Sequence, residues 1–395
     1  MGIAMVLEVI LGTAASLVLI FTTVLFVEVA AAIVLPEGDA VEEGERGRVA
    51  VLIPAHNESR LIAETIRSVA PQLQSGDRLI VVADNCSDDT APIAAAEGAE
   101  VVVRTDTVRR GKGYALDRGV RHLKSSPPDV VLILDADCRA GPRTVDLLVR
   151  SCCQSERPVQ AIYLMQTESG AASAMRIAEF AWLVKNKVRP TGLRRLGLPC
   201  QLMGTGMAFP WASLAKANLA TGHIVEDLKL GIELARAGSA PMLCPQALVA
   251  SNFPTSVEGI AAQRTRWEHG HLSVIAIDAL RLLLDGVKSW RLDLLALALD
   301  LSVPPIALLV LLIAAIWASC AVLFYFTSAV WPLALASVAG LEMAAAVFAS
   351  WLLYGRKILS LSNLALSVIY ALRKIPLYLR YLVARQVEWV RSKRD

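Results

Sequence analysis

Two long apolar stretches without charged residues constrain the fold of this 395-residue chain more than any other feature. The first, residues 9–27, has about 19 residues, which is enough for one helix across a bilayer. The second, residues 301–341, is too long for one helix and contains Trp331-Pro332, so it predicts a hairpin of two spans ending near Tyr354. The first stretch lacks the preceding basic residues and the following cleavage site of a secretory signal, so we interpret it as a span as well.

Positive charges predict the orientation of these spans. Nine lysine and arginine residues follow the hairpin, whose own turn has none: Arg356, Lys357, Arg373, Lys374, Arg380, Arg385, Arg391, Lys393 and Arg394. Cytosolic segments near membrane spans are enriched in such residues. We therefore expect an integral membrane protein, in a cell inner membrane, whose C-terminus and large polar block face the cytosol. The seven cysteines show no metal-binding spacing and are expected to be reduced there.

The composition divides the chain into five segments. These are an N-terminal span (1–35), a polar linker (36–48), a cytosolic α/β domain (49–291), a transmembrane hairpin (292–354) and a basic segment on the membrane surface (355–395). The net charge of +3 favours no particular partner, and no nucleic-acid partner is expected.

Short apolar runs alternate with helical stretches in the polar block. Four runs have the length and continuity of strands buried on both faces: residues 49–55, 78–85, 100–104 and 130–137. The stretches between them predict helices that end near Ala70 and that cover residues 88–97 and 112–123. Strands that alternate with helices predict a mainly parallel sheet covered by helices on both faces, with ligands bound at the carboxyl ends of the strands.

Polar residues follow three of the four predicted strands. Asn57 and Glu58 follow the first strand, Asp84 closes the second, and Asp135 and Asp137 close the fourth. Two carboxylates at a strand end predict a Mg²⁺ or Mn²⁺ site, although a solvated turn is the alternative for such a pair taken alone. No GxGxxG motif follows the first strand and the chain has no GxxxxGK[ST] motif. Both absences argue against a dinucleotide-binding dehydrogenase and a P-loop ATPase.

Further candidates lie in two glycine-containing segments and one helix. Lys112 stands between two glycines that would let the backbone approach an anion, although it could also be a solvated lysine at a helix start. Residues 204–209 ("GTGMAF") predict a second flexible loop. An amphipathic helix ends near Gly238, and Glu226 and Asp227 lie at its start. These acids either interact with the helix dipole or include a catalytic base.

The stretch "QRTRWEHGHL" (263–272) collects polar and aromatic side chains shortly before the hairpin. Arg264 and Arg266 carry planar donor groups suited to a diphosphate. Trp267 offers a flat face for a sugar ring, and Gln263 can orient a loop or a hydroxyl. A lipid-headgroup anchor is the alternative for an arginine-rich stretch beside a membrane.

In this order the motifs resemble those of the family 2 glycosyltransferases. The similarity is to the membrane-embedded branch with cellulose, chitin-oligosaccharide and hyaluronan synthases and, in layout, to ceramide glucosyltransferase. It covers about residues 49–272 and includes "QRTRW", a literal match to the family's QxxRW signature. The resemblance implies a Rossmann-like GT-A fold, a UDP-sugar donor and Mg²⁺ or Mn²⁺.

The resemblance also implies a role for each candidate. Residues of the donor site would be Glu58, Asp84 and Asp135 at the uridine, Lys112 at the nucleotide, and Arg264 and Arg266 at the diphosphate. Asp137 would bind the metal and Asp227 would be the base. The acceptor site would be formed by Trp267, Gln263, Gly204 and Thr205.

The implied function is that of an inverting glycosyltransferase with a membrane-associated acceptor, either a lipid-linked saccharide, a glycolipid or a polysaccharide. Two features depart from the polymer synthases of the family. Val225 stands where those enzymes usually carry threonine, and three spans enclose a polymer channel poorly. A short-chain processive synthase, a ceramide-type lipid glucosyltransferase and a non-catalytic subunit that senses nucleotide sugars remain alternatives.

Two amphipathic stretches are predicted to lie along the membrane surface. Residues 170–189 mix large apolar side chains with basic ones and predict an interfacial helix, or alternatively an ordinary helix packed on the sheet. Residues 375–390 interleave aromatic and aliphatic side chains with Arg380 and Arg385, so this tail would hold the domain against the membrane. A fourth span at 360–372 is disfavoured because it is short and would place the basic end outside.

Three further residues have no role in the motifs. His269 and His271 have a spacing that can bind a metal, but we expect them to be structural. Glu342 lies in the middle of the last predicted span, and an acid at that depth is expected to face protein or water rather than lipid.

Overall fold

The computed structural model describes residues 2–37, 41, 43, 46–168, 170–223, 225–254 and 257–383 of the chain. The side chains of residues 257, 258, 261 and 262 are outside this description. Part of the predicted linker and the end of the predicted basic tail, residues 384–395, also lie outside the described residues.

Eight strands in the described part of the chain form one mixed sheet. They are β1 (Val49–Ala55), β2 (Arg78–Asp84), β3 (Glu100–Arg104), β4 (Val130–Ile133), β5 (Arg139–Ala140), β6 (Val159–Gln166), β7 (Met207–Pro210) and β8 (Met242–Asn252). The order across the sheet is β3-β2-β1-β4-β7-β6-β8-β5. The first four strands run parallel to one another. β7 is antiparallel to both β4 and β6, β6 is parallel to β8, and β5 is antiparallel to β8.

The helices fall into a first group that precedes β8 in the chain and a second group that follows it. The first group comprises α1 (Gly2–Val34), α2 (Ile62–Val69), α3 (Thr90–Ala96), α4 (Lys112–Leu123), α5 (Thr144–Ser155), α6 (Ser173–Leu183), α7 (Arg189–Arg195), α8 (Trp211–Leu214) and α9 (Glu226–Arg236). The second group comprises α10 (Val257–Val274), α11 (Leu280–Ser289), α12 (Leu292–Ser302), α13 (Ile306–Thr327), α14 (Val330–Ser350), α15 (Leu361–Ala365), α16 (Ser367–Arg373) and α17 (Ile375–Val383). Three π-helical turns extend these helices: Val184–Val188, Ile275–Ala279 and Trp351–Gly355.

The central strand β1 is buried on both faces, as its continuous apolar run predicts. Leu52 packs on one side of the sheet in a cluster with Leu116 and other residues of α4. Its neighbour Ile53 packs on the other side, in a cluster with Ile62 and Ile66 of α2. Successive side chains of a strand point to opposite faces, so a strand with helices on both faces must be apolar throughout.

The four predicted strands are confirmed, with two differences in their surroundings. β4 ends at Ile133, so Asp135 and Asp137 lie in the loop after the strand. The predicted flexible loop at 204–209 is wrong from Met207 onward, because these residues form β7 and pair with β4 and β6. A strand that short has too little alternation to be recognised from its sequence.

Among the described residues, three helical segments are long and apolar enough to cross a membrane: Gly2–Val34, Ile306–Thr327 and Val330–Gly355. The hairpin turn lies at Ser328, which has a left-handed φ of 60°, and not at Trp331-Pro332. Pro332 instead lies in the first turn of α14, where its missing N–H costs no helix hydrogen bond. The hairpin also begins later than residue 292, because α12 is a separate helix ahead of it.

Helix α12 packs against the α/β domain rather than continuing into the first hairpin span. Leu294 and Leu297 of α12 share an apolar cluster with Leu228 and Ile232 of α9. Pro304 and Pro305 separate α12 from α13. Proline at the start of a helix is tolerated, but a helix rarely continues through one, so the chain can change direction here.

Two polar networks connect the membrane helices. The hydroxyls of Thr22 and Thr23 on α1 donate to the Glu342 carboxylate on α14 at 2.8 Å and 3.0 Å, so this acid faces protein, as its position predicts. Arg189 at the start of α7 is buried and donates to the carboxylates of Glu28 on α1 and Asp300 on α12. The second network fastens the α/β domain to the first membrane helix.

The helix predicted at 170–189 lies between the sheet and the membrane helices. Ile177 and Phe180 of α6 pack in one cluster with residues of α1, α13 and α14. On its other side, Trp182 donates a hydrogen bond from Nε1 to the Tyr163 carbonyl of β6 at 3.1 Å. Both interpretations of this segment are therefore incomplete, because the helix packs on the sheet and on the membrane helices at once.

Candidate active site

A cleft of about 450 Å³ opens at the carboxyl ends of β1, β2 and β4. Ten predicted site residues line this cleft: Glu58, Asp84, Lys112, Asp135, Asp137, Gly204, Asp227, Gln263, Arg266 and Trp267. These residues come from seven separate parts of the sequence, and parallel strands bring their ends to one edge. Two other predicted site residues, Arg264 and Thr205, do not line the cleft.

One end of the cleft is formed by the ends of β2 and β3. Asp84 and Arg104 are register partners on these strands, and Arg104 Nη1 lies 2.5 Å from Asp84 Oδ1. The guanidinium of Arg104 also lies over the ring of Tyr114, 5.6 Å from its centroid. Arg104 was missed by the sequence reasoning, although its place at the end of the strand beside Asp84 was a usable signal. It fixes the carboxylate of Asp84 at the edge of the cleft.

The loop after β4 places two carboxylates in the cleft beside a lysine. Lys112 Nζ lies 2.5 Å from Asp135 Oδ1 and donates to the carbonyl of Gly204 at 2.6 Å. Burial opposes the charge of Lys112, but the nearby carboxylates of Asp135 and Glu226 outweigh it and raise the lysine's pKa. Lys112 is therefore a permanent cation beside Asp135.

Thr205 is buried behind the loop that follows β4 and does not face the cleft. Its side chain is fully buried, and its hydroxyl accepts a hydrogen bond from the backbone N–H of Asp135 at 3.0 Å. The prediction that Thr205 contacts an acceptor is therefore wrong. A hydroxyl next to two glycines resembles a ligand contact in sequence, and only the packing shows that it faces inward.

Asp135, Asp137 and Cys138 have ligand atoms within 4.8 Å of one another. Burial raises the pKa of the Cys138 thiol to about 12, so this thiol stays protonated and is a poor metal ligand. The thiol instead donates to Asp137 Oδ1 at 3.4 Å. The remaining donor set is a pair of carboxylates open to the cleft, which fits a hard divalent cation that keeps several water or phosphate ligands.

Two acids at the start of α9 face Lys112 across the cleft. Burial raises the pKa of Glu226 to about 7, against the opposing effect of Lys112, and burial also raises the pKa of Asp227. Glu226 Oε1 lies 4.0 Å from Lys112 Nζ. Gly204 has a φ of +90°, and a Cβ at this position would lie 3.4 Å from the carboxylate of Asp227. The glycine thus leaves room above a carboxyl with raised proton affinity, which is the property of a general base.

An aromatic wall closes the side of the cleft that faces the membrane helices. The rings of Trp267 and Trp182 are 4.5 Å apart at an interplanar angle of 38°. The edge of Tyr163 meets Trp182 at 5.5 Å. Trp182 was missed as a site residue because its helix was interpreted as a membrane-surface element or as ordinary packing on the sheet. The wall offers flat apolar faces of the kind on which sugar rings pack.

The two arginines of "QRTRW" point in different directions. Arg266 lines the cleft, whereas the guanidinium of Arg264 lies over the ring of Tyr370, 5.5 Å from its centroid. Arg264 lines a separate cavity among the membrane helices. Both residues belong to α10, and helix positions two apart do not share a face. The prediction that both arginines meet one diphosphate is therefore wrong for Arg264.

The two histidines of this helix hold it in place, as expected. His269 Nε2 and the Leu377 carbonyl of α17 are 3.2 Å apart. His271 Nε2 is 3.2 Å from the Leu301 carbonyl of α12. Burial lowers the pKa of His271 to about 3, so this side chain is neutral. The imidazoles therefore attach the QxxRW helix to the elements that border the membrane.

Carboxylates after the parallel strand β4, acids at a helix start and an aromatic wall form the arrangement that the resemblance to GT-A glycosyltransferases predicts. The chain belongs to the family described as "Glycosyltransferase like family 2", whose model matches residues 46–270. The resemblance noted in the sequence is thereby confirmed at the level of the family.

Individual relatives match parts of the chain. A "probable glycosyltransferase YdaM" of Bacillus subtilis is 26% identical over 241 residues, which are 58% of this chain and 57% of the relative. Glucosyl-3-phosphoglycerate synthase of Mycobacterium tuberculosis is 38% identical over 104 residues, which are 25% of this chain and 31% of that enzyme. The chain thus spans between about a third and somewhat over half of the length of these relatives.

One solved structure is similar over nearly the whole chain. It is the mannosyltransferase PcManGT from Pyrobaculum calidifontis, in complex with GDP-Man and Mn²⁺. The two share 17% sequence identity with a TM-score of 0.59, and the match covers 96% of this chain and 100% of the other. At this identity the similarity shows a common fold.

Proposed function

We propose that the protein transfers a glycosyl group from a UDP-sugar to a membrane-associated acceptor, with inversion at the sugar carbon. One observation carries this proposal. A single cleft combines two carboxylates suited to a divalent cation, a permanent cation, two acids of raised pKa and an aromatic wall. The membrane helices next to the aromatic wall support an acceptor that resides in the membrane.

The donor would occupy the side of the cleft formed by β1, β2 and the loop after β4. The nucleoside would lie near Glu58 and Asp84, with Asp84 held in place by Arg104. Asp137, with Asp135, would hold Mg²⁺ or Mn²⁺, which supplies stabilisation of the charge on the departing diphosphate. Lys112 and Arg266 would add positive charge at the same group. Such contacts accelerate the reaction because the charge is greatest in the transition state.

The acceptor would enter from the side of Trp267 and Gln263. Asp227 would remove the proton of the acceptor hydroxyl as that oxygen attacks the sugar carbon from the face opposite the leaving diphosphate. Gly204, which has no side chain, leaves the space beside the Asp227 carboxylate free of a Cβ. One base is sufficient for inversion, so the mechanism requires no covalent intermediate.

The other candidate functions differ in acceptor or in class. A short-chain processive synthase would extend a polysaccharide, and a ceramide-type enzyme would glycosylate a neutral lipid. The three candidate spans among the described residues favour single transfer over polymer export. A nucleotide-sugar sensor has no use for a base and a metal site together, so the composition of the cleft argues against it.

We further propose that the α/β domain and C-terminus face the cytosol and that the host membrane is a cell inner membrane. Arg356 and Lys357 directly follow the last candidate span, whereas the turn between α13 and α14 carries no charge. The bias of positive charge toward the cytosol supports this orientation. Nucleotide sugars and lipids of that membrane would be the partners.

A product assay tests the proposal. The full chain, purified in a neutral detergent, is incubated with Mn²⁺, a lipid extract and a panel of UDP-sugars and GDP-sugars, and new glycolipids are identified by mass spectrometry. We expect transfer from one UDP-sugar, lost in Asp227→Asn and retained in Asp285→Asn, whose carboxylate lies on the surface in a pair with Arg236. Binding of a nucleotide without release of any sugar would instead identify a sensor.

A further inference from the structure

A second cavity, of about 200 Å³, adjoins the active-site cleft on its membrane side. Side chains of α13, among them Ile306, Ala307 and Val310, give it an apolar lining. The two spaces have five lining residues in common: Trp182, Lys185, Gln263, Trp267 and His271. A molecule with a hydrocarbon tail in the second cavity could therefore reach the cleft past the Trp182–Trp267 pair.

Two cations of this cavity lack an acidic partner among the described residues. Lys374 pairs with Glu268, and Arg189 pairs with Glu28 and Asp300. By contrast, Lys185 and Arg264 have no carboxylate within ion-pair distance in the described part of the chain. Arg264 lies over the Tyr370 ring at 5.5 Å, and Lys185 lies over the Trp182 ring at 5.9 Å. Among the described residues, the cavity therefore carries two positive charges that lie over aromatic rings and form no ion pair.

The backbone around Lys185 is also unusual. This residue lies in the π-helical turn Val184–Val188, between α6 and α7. Such turns are rare, widen the helix by one residue and occur frequently at functional sites. Burial lowers the pKa of Lys185, and the Asp227 carboxylate acts in the opposite direction. The lysine is thus close enough to the proposed base for their charges to interact.

We propose that the second cavity binds the acceptor as a phosphate-bearing lipid, with the phosphate held between Lys185 and Arg264. The hydrocarbon tail lies along α13, and the hydroxyl-bearing head group passes Trp182 and Trp267 to reach Asp227. This inference rests on the proposed function for the identity of the cleft. It assigns Lys185 and Arg264 to acceptor binding.

The positive charges and the apolar lining of the second cavity together favour a lipid that carries a phosphate. Two cations that form no ion pair with the described residues, in a cavity with a mainly apolar lining, attract a phosphate strongly, because charge-assisted hydrogen bonds gain strength where water is excluded. A neutral lipid would leave both charges without a partner. A soluble sugar phosphate would leave the apolar lining uncovered. An amphiphile with a phosphate satisfies both parts of the cavity.

Direct binding of a simple probe tests the inference. The full chain in neutral detergent is equilibrated with radiolabelled dodecyl phosphate, and bound probe is separated by gel filtration. We expect saturable binding that Lys185→Met and Arg264→Met each weaken at least about tenfold, whereas Lys185→Arg retains most of it. Dodecanol, dodecanoate and inorganic phosphate are expected to compete poorly, since each lacks the phosphate or the tail.

Lys187→Met is the matched control. Lys187 lies in the same π-helical turn, but its ammonium lies over the Tyr354 ring at 5.6 Å and lines neither cavity. Its removal should leave the affinity within twofold. Equal weakening by Lys187→Met would show a diffuse surface effect and overturn the inference, as would wild-type affinity in both Lys185→Met and Arg264→Met. Competition by dodecanoate as strong as that of the probe would also overturn it.

UDP binding and hydrolysis of UDP-sugar, measured on the same proteins, separate the two proposals. Lys185→Met and Arg264→Met should bind UDP as the wild type does, which also shows that they are folded. Probe binding that depends on both cations, without turnover of any nucleotide sugar, would support the lipid site and reject the proposed function. If the protein transfers sugar and both substitutions leave probe binding unchanged, the lipid site is rejected and the proposed function is retained.

Discussion

At the scale of single residues, the acids of the cleft differ in whether a cation holds them. Asp84 is held by Arg104 and Asp135 by Lys112, so both carboxylates are fixed in place. Asp227 and Glu226 are instead shielded from water, and burial raises the pKa of both. Acids that are stabilised as anions suit the binding of a metal or a nucleotide, whereas an acid with raised proton affinity suits proton transfer.

Asp137→Asn should abolish turnover and leave the protein folded. The amide cannot supply the negative charge that a divalent cation requires, so the departing diphosphate would lose its stabilisation. Initial rates at several Mn²⁺ concentrations measure the effect. Asp129→Asn, at the other end of β4, is the control and should stay active. Wild-type rates in Asp137→Asn would show that the metal is bound elsewhere.

Asp227→Asn should bind the UDP-sugar normally and lose transfer by about a hundredfold or more, because a base acts on the acceptor and not on the donor. Calorimetric UDP titration and initial rates separate the two effects. Glu233→Gln removes an exposed carboxyl of the same helix and should have neither effect. Equal losses of donor affinity and rate in Asp227→Asn would move this residue to the donor site.

The raised pKa of Glu226 predicts a pH-dependent stability. Its value of about 7 in the folded protein lies above the ordinary 4.5, so the folded protein binds this proton more tightly than the unfolded chain does. This stabilisation is complete below pH 4.5 and is lost as the pH rises through 7, by about 3 kcal/mol. Melting temperatures from pH 4.5 to 8 should fall more steeply for the wild type than for Glu226→Gln. Parallel curves would contradict the prediction.

At the scale of the elements, buried charges join the membrane helices to the α/β domain. Arg189 of α7 donates to Glu28 of α1 and Asp300 of α12, and Gln201 Nε2 also donates to Asp300 at 3.1 Å. Helices α7 and α1 also approach each other closely beside this network. A Cβ at Gly192 of α7 would lie 1.8 Å from the Glu28 carbonyl oxygen of α1. The orientation of α1 relative to the domain is therefore fixed by polar groups as well as by packing.

Arg189→Met should lower the stability of the purified protein by about 3–5 kcal/mol, because two buried carboxylates lose their shared counter-charge. Thermal unfolding in detergent measures the change. Arg236→Met removes an ion pair whose partners are 38% and 46% exposed, so its effect should stay below about 1 kcal/mol. Similar melting temperatures for the two variants would mean that the buried network contributes no more than a surface pair.

At the scale of the whole molecule, helix α10 connects the cleft to the helices beside the three candidate spans. Helix α10 carries Trp267 to the cleft, while its His269 and His271 contact α17 and α12. Large apolar side chains of the last helices, among them Leu379 and Leu382, are exposed. Exposed apolar faces next to spans are expected to lie against lipid, which keeps the cleft at the membrane surface.

A reporter fused after Asp395 that is active only outside the cytosol should stay silent in cells. Three spans with the N-terminus outside and positive charge after the last span place the C-terminus in the cytosol. A second fusion after Thr327, in the turn between α13 and α14, should be active and serves as the control. Activity of the C-terminal fusion would show that the number of spans is not three.

The sequence by itself determined four of the eight described strands, the three candidate spans and most of the candidate residues. Continuous apolar runs and their lengths predicted the parallel strands and the three spans, because burial on both faces or in lipid requires apolar side chains at every position. The motifs at strand ends, in the glycine-containing segments, at the start of α9 and in "QRTRW" together predicted ten of the residues that meet in the cleft. Both kinds of information are local, so they can be obtained from neighbouring positions alone.

Only the tertiary structure decided where individual side chains point and what they contact. Arg264 lies over Tyr370 whereas Arg266 lines the cleft, and Thr205 is buried with its hydroxyl accepting from the backbone N–H of Asp135. Glu342 is hydrogen-bonded by Thr22, which is 320 positions away in the chain. Such contacts depend on how separate elements pack together, and no local pattern of residues encodes that packing.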